Sequence, residues 1–234
     1  MRTKNFTRFS ILLILSLLAH SCQEEIKPLV INEQGYFTLH AQNESDFHIS
    51  GEEEPKTRSV LQPDGSVFWS PADSISFFIG NGANGGYPLV SNNSSDAAQA
   101  DFIGKIGNCP QGATCFAIYP YNAKSSCTES SLSTYLPSEQ TAVEGTFADD
   151  LFISVATSQT NQMNFYHVCG GFKFSVSGEG IRKVVFKNND GGLLAGRLTI
   201  GFDESGRPVV TSITDGTDAI TVNAPDGGTF IPGK

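Results

Sequence analysis

Hydrophobic residues are distributed along the chain in two different ways. From Phe9 to Ala19 the sequence is apolar, interrupted only by Ser10 and Ser16. Beyond it, apolar residues come in short bursts divided by Gly, Pro, Asn and Ser clusters, the signature of strands and turns. Gly35 to His40 is the first burst. Val60 to Ile79 predicts a hairpin turning at Pro63-Asp64-Gly65-Ser66, where proline presets φ and glycine tolerates the left-handed region. Its runs are Val67-Phe68-Trp69 and Ser74 to Ile79, followed by Ala100 to Ile103, Thr114 to Tyr119 and Asp150 to Ala156. A second set begins near Met163 with Asn164 to Val168, then Gly171 to Val176, which places Phe172, Phe174 and Val176 on one face. Ile181 to Lys187 leads into Asn188-Asn189-Asp190-Gly191-Gly192, a hairpin-turn signal, and Leu193 to Phe202, Pro208 to Ile213 and Ala219 to Val222 complete the set. Only Ser138 to Gly145 reads as weakly helical. More than ten short strands predict an all-β chain built as two β-sandwiches, residues 59–162 and 163–234. The second is expected to be incomplete, because Pro225 to Lys234 reads as a turn leading into a further strand; an ordinary frayed terminus is the alternative.

The apolar run at the start has its own meaning. Arg2, Lys4 and Arg8 precede it, and Ser21 places a small residue before Cys22. A basic start, an apolar core and a small-residue cleavage site describe a signal peptide, residues 1–21. The run is too short for a bilayer core, which needs about 20 residues. Leu18-Ala19-His20-Ser21-Cys22 resembles a lipobox, with cleavage between Ser21 and Cys22 and acylation of Cys22. Two or three acyl chains, at about 0.8 kcal/mol per buried CH₂, make the membrane a lasting partner. Gln23-Glu24-Glu25 reads either as a surface-export signal or as a solvated tether. The acidic stretch 22–58 holds the candidate first strand and breaks at Glu52-Glu53-Glu54-Pro55.

Charge narrows the partners. All 24 acidic residues but only 12 of the 15 basic ones follow residue 21, leaving a formal charge of −12 on the mature chain. Clustered Lys and Arg for phosphate contacts are absent, so no nucleic-acid partner is expected. With Cys22 taken by lipid, Cys109, Cys115, Cys127 and Cys169 remain, and sequence cannot choose among their three pairings. Cys109 to Cys115 is the local candidate disulfide; free thiols and zinc are the alternatives, though no C-x-x-C spacing favours metal.

Catalytic constellations are missing. His40 and His48 lie in the polar N-terminal stretch, and His167 lies within a strand run. Asp149-Asp150 fits a solvated turn, and Asn188 to Gly191 lacks the closing bidentate glutamate of a calcium loop. No enzyme activity, metal or cofactor is expected. Trp69, Tyr119 and Tyr121 are candidates for stacking on sugars, but alternation puts Phe68 and Trp69 on opposite faces and makes Trp69 the better core anchor. Asp73-Ser74-Ile75 matches a short O-glycosylation pattern.

Several stretches, taken in order, carry a family likeness: Lys56-Thr57-Arg58; Val67-Phe68-Trp69-Ser70-Pro71-Ala72-Asp73-Ser74-Ile75; Ala100-Asp101-Phe102-Ile103-Gly104; Ala117-Ile118-Tyr119-Pro120-Tyr121; Leu136-Pro137-Ser138-Glu139-Gln140; Met163 to Gly171; and Gly192-Leu193-Leu194-Ala195-Gly196. Over residues 56 to 200 this order resembles the fimbrillin family, the Mfa-like surface lipoproteins. The resemblance implies two transthyretin-like sandwich domains and a role as subunit, tip or anchor of surface fimbriae in adhesion or biofilm formation, at the outer membrane. It implies as partners other fimbrial subunits, joined by donor-strand exchange, and host or bacterial surface receptors. It also makes Arg58 a candidate maturation cleavage site, with an exposed linker arginine as the alternative. The rival expectation is a surface lipoprotein that captures glycans for nutrient uptake.

Overall fold

In the computed structural model, residues 29, 31–44, 60–61, 66–148 and 151–233 are described. They are all-β: sixteen strands, one short 3₁₀ turn at Pro225–Gly227, and no α-helix among the described residues. The strands are β1 (Tyr36–Asn43), β2 (Val60–Leu61), β3 (Val67–Phe68), β4 (Ser74–Ile79), β5 (Tyr87–Ser91), β6 (Gln99–Lys105), β7 (Cys115–Tyr119), β8 (Ser126–Cys127), β9 (Leu132–Leu136), β10 (Glu139–Thr141), β11 (Ser154–Ser158), β12 (Gln162–His167), β13 (Lys183–Lys187), β14 (Ala195–Phe202), β15 (Pro208–Thr217) and β16 (Ala219–Asn223).

Period-two alternation determines which side chains meet, since successive residues of a strand point to opposite faces. Seven strands close into a barrel in the order β1-β12-β11-β7-β4-β5-β6. Phe37, Leu39 and Ala41 of β1 point inward and meet Ile75, Phe77, Leu89, Phe102, Ala117, Met163 and Phe165. Trp69 stands at the centre, fully buried, with the rings of Phe102, Tyr119 and Phe165 edge-on to it at 5.0, 5.2 and 5.1 Å. Such tilted contacts set the positive edge of one ring against the negative face of another. The side chains fill the interior, leaving a packed core rather than a pore.

The outer wall of the barrel makes a second core. Phe78, Phe116, Ile118 and Val155 pack against Leu132, Leu136, Leu198 and Ile200 of a four-stranded sheet ordered β15-β14-β9-β8. β7 is therefore buried on both faces along its whole length, which explains its unbroken apolar run. A third sheet, β10-β16-β13, builds a smaller cluster from Val176, Val222, Ala224 and Phe230.

Several expectations change in the structure. β12, expected to open the second domain, is a barrel strand hydrogen-bonded to β1 and β11, while β9 and β10, expected in the first domain, belong to the other two sheets. The cause is long-range pairing: His40 aligns with Gln162, and Met163 and Phe165 enter the barrel core. The weak helix at Ser138–Gly145 is instead β10 and a turn, because Glu139–Thr141 pair with Thr221–Asn223. Gly171–Val176 joins no ladder; Val176 is buried, but Phe172 is 85% exposed and stacks on Phe186 at 5.7 Å. The Asn188–Gly192 turn forms but closes no hairpin. It is a bulge where one long ribbon passes from the third sheet to the second, β13 pairing with β16 and β14 with β15. The ribbon turns instead at residues 203–207, where Asp203 Oδ1 accepts from the Ser205 and Arg207 amides at 2.9 Å each. At the other end of the β14–β15 pair, next to the bulge, Gly196 and Gly216 let the two backbones touch; a Cβ on Gly216 would lie 2.0 Å from the Ala195 carbonyl oxygen.

The packing makes Trp69 the keystone of the barrel. Trp69→Ala is expected to lower unfolding free energy by about 3–5 kcal/mol, and Trp69→Phe by less, both read from denaturant unfolding.

Candidate functional site

The element with the most suggestive placement is β1. It lies N-terminal to the candidate cleavage residue Arg58, yet it closes the barrel. It pairs antiparallel with β6 over seven residue pairs, from Tyr36–Lys105 to Gln42–Gln99, and parallel with β12 over four, from His40–Gln162 to Asn43–Phe165. The parallel ladder is the barrel's only one among the described residues. Phe37 and Leu39 are wholly buried, and Asn43 anchors the inner end by donating from Nδ2 to the Val67 carbonyl at 3.0 Å. The stretch read as a tether with a loose first strand thus supplies an integral core strand.

The outward face of β1 is polar and cross-linked to β6. His40 Nδ1 lies 2.6 Å from Asp101 Oδ1, Gln99 Nε2 donates to Gln42 Oε1 at 3.3 Å, and the Lys105 ammonium sits 5.2 Å from the Tyr36 ring centre. Such exposed pairs each contribute little, about 0.2–1 kcal/mol. The end of the strand is held more firmly. Glu44 Oε1 accepts from the His167 amide at 2.8 Å, Glu44 Oε2 pairs with Arg207 Nη1 at 3.0 Å, and the Arg207 guanidinium lies 4.9 Å from the Tyr166 ring centre. The Glu44 side chain is only 13% exposed. Arg207 reaches it because Asp203 shapes the β14–β15 turn, and those same hydrogen bonds, led by that from Ser205, lower the Asp203 pKa. This latch joins residues 163 positions apart and ties the first strand to the second sheet.

The other sequence candidates fall as follows. Ser21, Cys22, His48, Arg58, Asp149 and Asp150 lie outside the described residues. Cys109 and Cys115 come together with sulfurs 3.8 Å apart, as two thiols rather than a disulfide. Burial raises the Cys109 pKa and pushes that of Cys115 up to about 12, so both are protonated near neutrality. Cys127 and Cys169 are pushed up to about 12 and about 11 by the same cause. Among the described residues no group of three His, Cys, Asp or Glu side chains could hold a metal, and no helix is long and apolar enough to cross a membrane. Trp69 is sealed inside the barrel and offers no face to a sugar. Asp73 is buried, accepting from the Ser70 amide at 2.8 Å and the Tyr119 hydroxyl at 3.2 Å. Tyr121 is half-buried and lines a cleft together with Tyr135, which the sequence reading passed over. The signal was present: Tyr135 is an aromatic on the outward face of a strand whose Leu132, Thr134 and Leu136 turn inward.

His167 is the last residue of β12 and is half-buried. Its ring lies 4.0 Å from the Phe152 ring, and burial depresses its pKa from 6.5 to about 3. Comparison with family models, curated proteins and solved structures gave no match.

Two outcomes follow from this geometry. Arg207→Ala should cost about 1 kcal/mol of stability and speed hydrogen exchange in residues 36–43 more than in β14. Because His167 stays neutral in the fold but protonates when unfolded, its contribution is complete above about pH 6.5 and is lost as pH falls toward 3, at up to about 1.4 kcal/mol per pH unit. His167→Gln should flatten that part of the stability–pH curve, measured by thermal unfolding.

Proposed function

We propose that this chain is a fimbrillin-like lipoprotein, acylated at Cys22, held on the outer face of the outer membrane, and working without catalysis as a subunit, tip or anchor of surface fimbriae. The observation that carries this reading is the position of β1. A single cut at Arg58 severs the covalent link between β1 and every other described strand, leaving it held by its ladders, its buried apolar side chains, the Asn43–Val67 hydrogen bond and the Glu44 latch. Withdrawal of that strand opens a groove whose two walls, β6 and β12, present unpaired backbone N–H and C=O groups above an apolar floor. An open edge of this kind is a template for another chain's strand, with backbone bonds supplying strength and alternate side-chain pockets supplying register. In this reading the closed barrel corresponds to a first transthyretin-like domain, and the two sheets built on the β13–β16 ribbon to part of a second. Cell-surface receptors and neighbouring subunits are the partners it implies.

Glycan capture for nutrient uptake is the second reading. Its support comes from the cleft beside Tyr121 and Tyr135, since Trp69 is removed from consideration by burial.

Limited digestion of the full-length chain with a trypsin-like protease tests the first reading. Cut protein should form oligomers on native mass spectrometry that exclude the 22–58 fragment, and Arg58→Ala protein should stay monomeric. Cys22→Ala protein should fail to label with palmitate in cells. Cut protein that stays monomeric with the fragment bound would contradict assembly by strand exchange.

A further inference from the structure

We infer that the cleft where the barrel meets the other two sheets is a binding site for a neutral saccharide. It encloses about 570 Å³, within the range of roughly 300–1,000 Å³ usual for small-ligand sites. Four segments build it among the described residues: the chain leaving β7 at Pro120-Tyr121-Asn122, Tyr135 of β9 with Pro137 beyond it, Glu139-Gln140-Thr141 of β10, and Val143, Ala148 and Leu151 between β10 and β11. The first three are fixed. The Tyr121 amide donates to the Ser74 carbonyl at 2.8 Å, the Asn122 amide to Ser76 Oγ at 3.2 Å, and Gln140 Nε2 to the Pro137 carbonyl at 3.2 Å. The Lys124 ammonium lies 5.9 Å from the Tyr135 ring centre and helps orient the ring.

The lining determines the ligand class. Two phenol rings and two pyrrolidine rings give flat apolar surfaces, which suit the C–H faces of a pyranose. Asn122, Gln140, Thr141 and Glu139 bring amide, hydroxyl and carboxylate groups to the same space, matching the hydroxyl rim of a sugar. Its described lining residues include no Lys, Arg or His, and the mature chain carries −12, so phosphate and acidic sugars are disfavoured. A peptide docking by strand addition would find only the three residues of β10 as its template. None of the cleft's lining residues belongs to β1 or to the Glu44–Arg207 latch, so this inference does not rest on strand exchange.

The test uses the full-length chain in detergent, titrated by calorimetry with lactose, N-acetyllactosamine, cellobiose, maltose and sialyllactose, and with a decaproline peptide. At least one neutral disaccharide should bind and sialyllactose should bind more weakly. Tyr135→Ala should weaken the binding about tenfold while Tyr135→Phe retains it. Gln140→Ala, which leaves the rings in place, should weaken it as well, with unfolding midpoints confirming that each variant is folded. Absence of binding across the neutral sugars, preference for sialyllactose or decaproline, or binding indifferent to both Tyr135→Ala and Gln140→Ala would overturn the inference. Assembly of the cut protein should be the same for Tyr135→Ala and the parent, so a failure here leaves the fimbrial reading where it stands.

Discussion

The architecture depends on the insertion of one short strand, β1, between β6 and β12. Its backbone completes two ladders, and Phe37, Leu39 and Ala41 complete the shell of side chains around Trp69. Without that strand the seven-stranded sheet has two open edges and its central tryptophan loses one wall. Backbone groups buried away from water must be paired, so the groove is unstable empty and is satisfied by a strand of matching alternation. On the proposed reading, the same physics that makes β1 essential to the fold lets another strand with apolar residues at alternate positions take its place.

Two layers of packing surround this seat. The outer faces of β4, β7 and β11 lie against the sheet of β8, β9, β14 and β15, so the wall of the barrel is also half of a sandwich. That arrangement stiffens the side of the barrel opposite the β1 seam and leaves the seam as the part where strands are covered from one side. The Glu44–Arg207 pair is where the two layers communicate: the turn of the long ribbon reaches over to hold the end of the closing strand. A β7 that carries both cores has little freedom to move, whereas one cleavage between β1 and β2 would leave β1 retained by non-covalent contacts, the Glu44–Arg207 ion pair among them.

Local pattern revealed much of this, and its limits are physical. Alternation located most strands to within a few residues, and the burial of Trp69 followed from its place beside Phe68 in one short run. Cys109 and Cys115, close in sequence, proved close in space. Sheet membership was not legible, because pairing of residue 40 with residue 162 leaves no local trace. Nor could turn chemistry at Asn188–Gly192 show whether its flanking strands pair with each other; they pair instead with β15 and β16. The Glu44 latch and the Tyr121–Tyr135 cleft are assembled from distant segments, so only the unusual outward position of Tyr135 hinted at either.

The central claim is that the seat of β1 accepts a strand from outside once its own is set free. The most direct measurement adds a fluorescent synthetic peptide with the sequence of Tyr36–Asn43 to the full-length chain before and after cleavage at Arg58, and follows its incorporation by size-exclusion chromatography. The account predicts stoichiometric uptake by the cut protein, accelerated by Arg207→Ala, and none by the intact protein. Cut protein that refuses the peptide while remaining folded, or equal uptake by cut and intact protein, would contradict it.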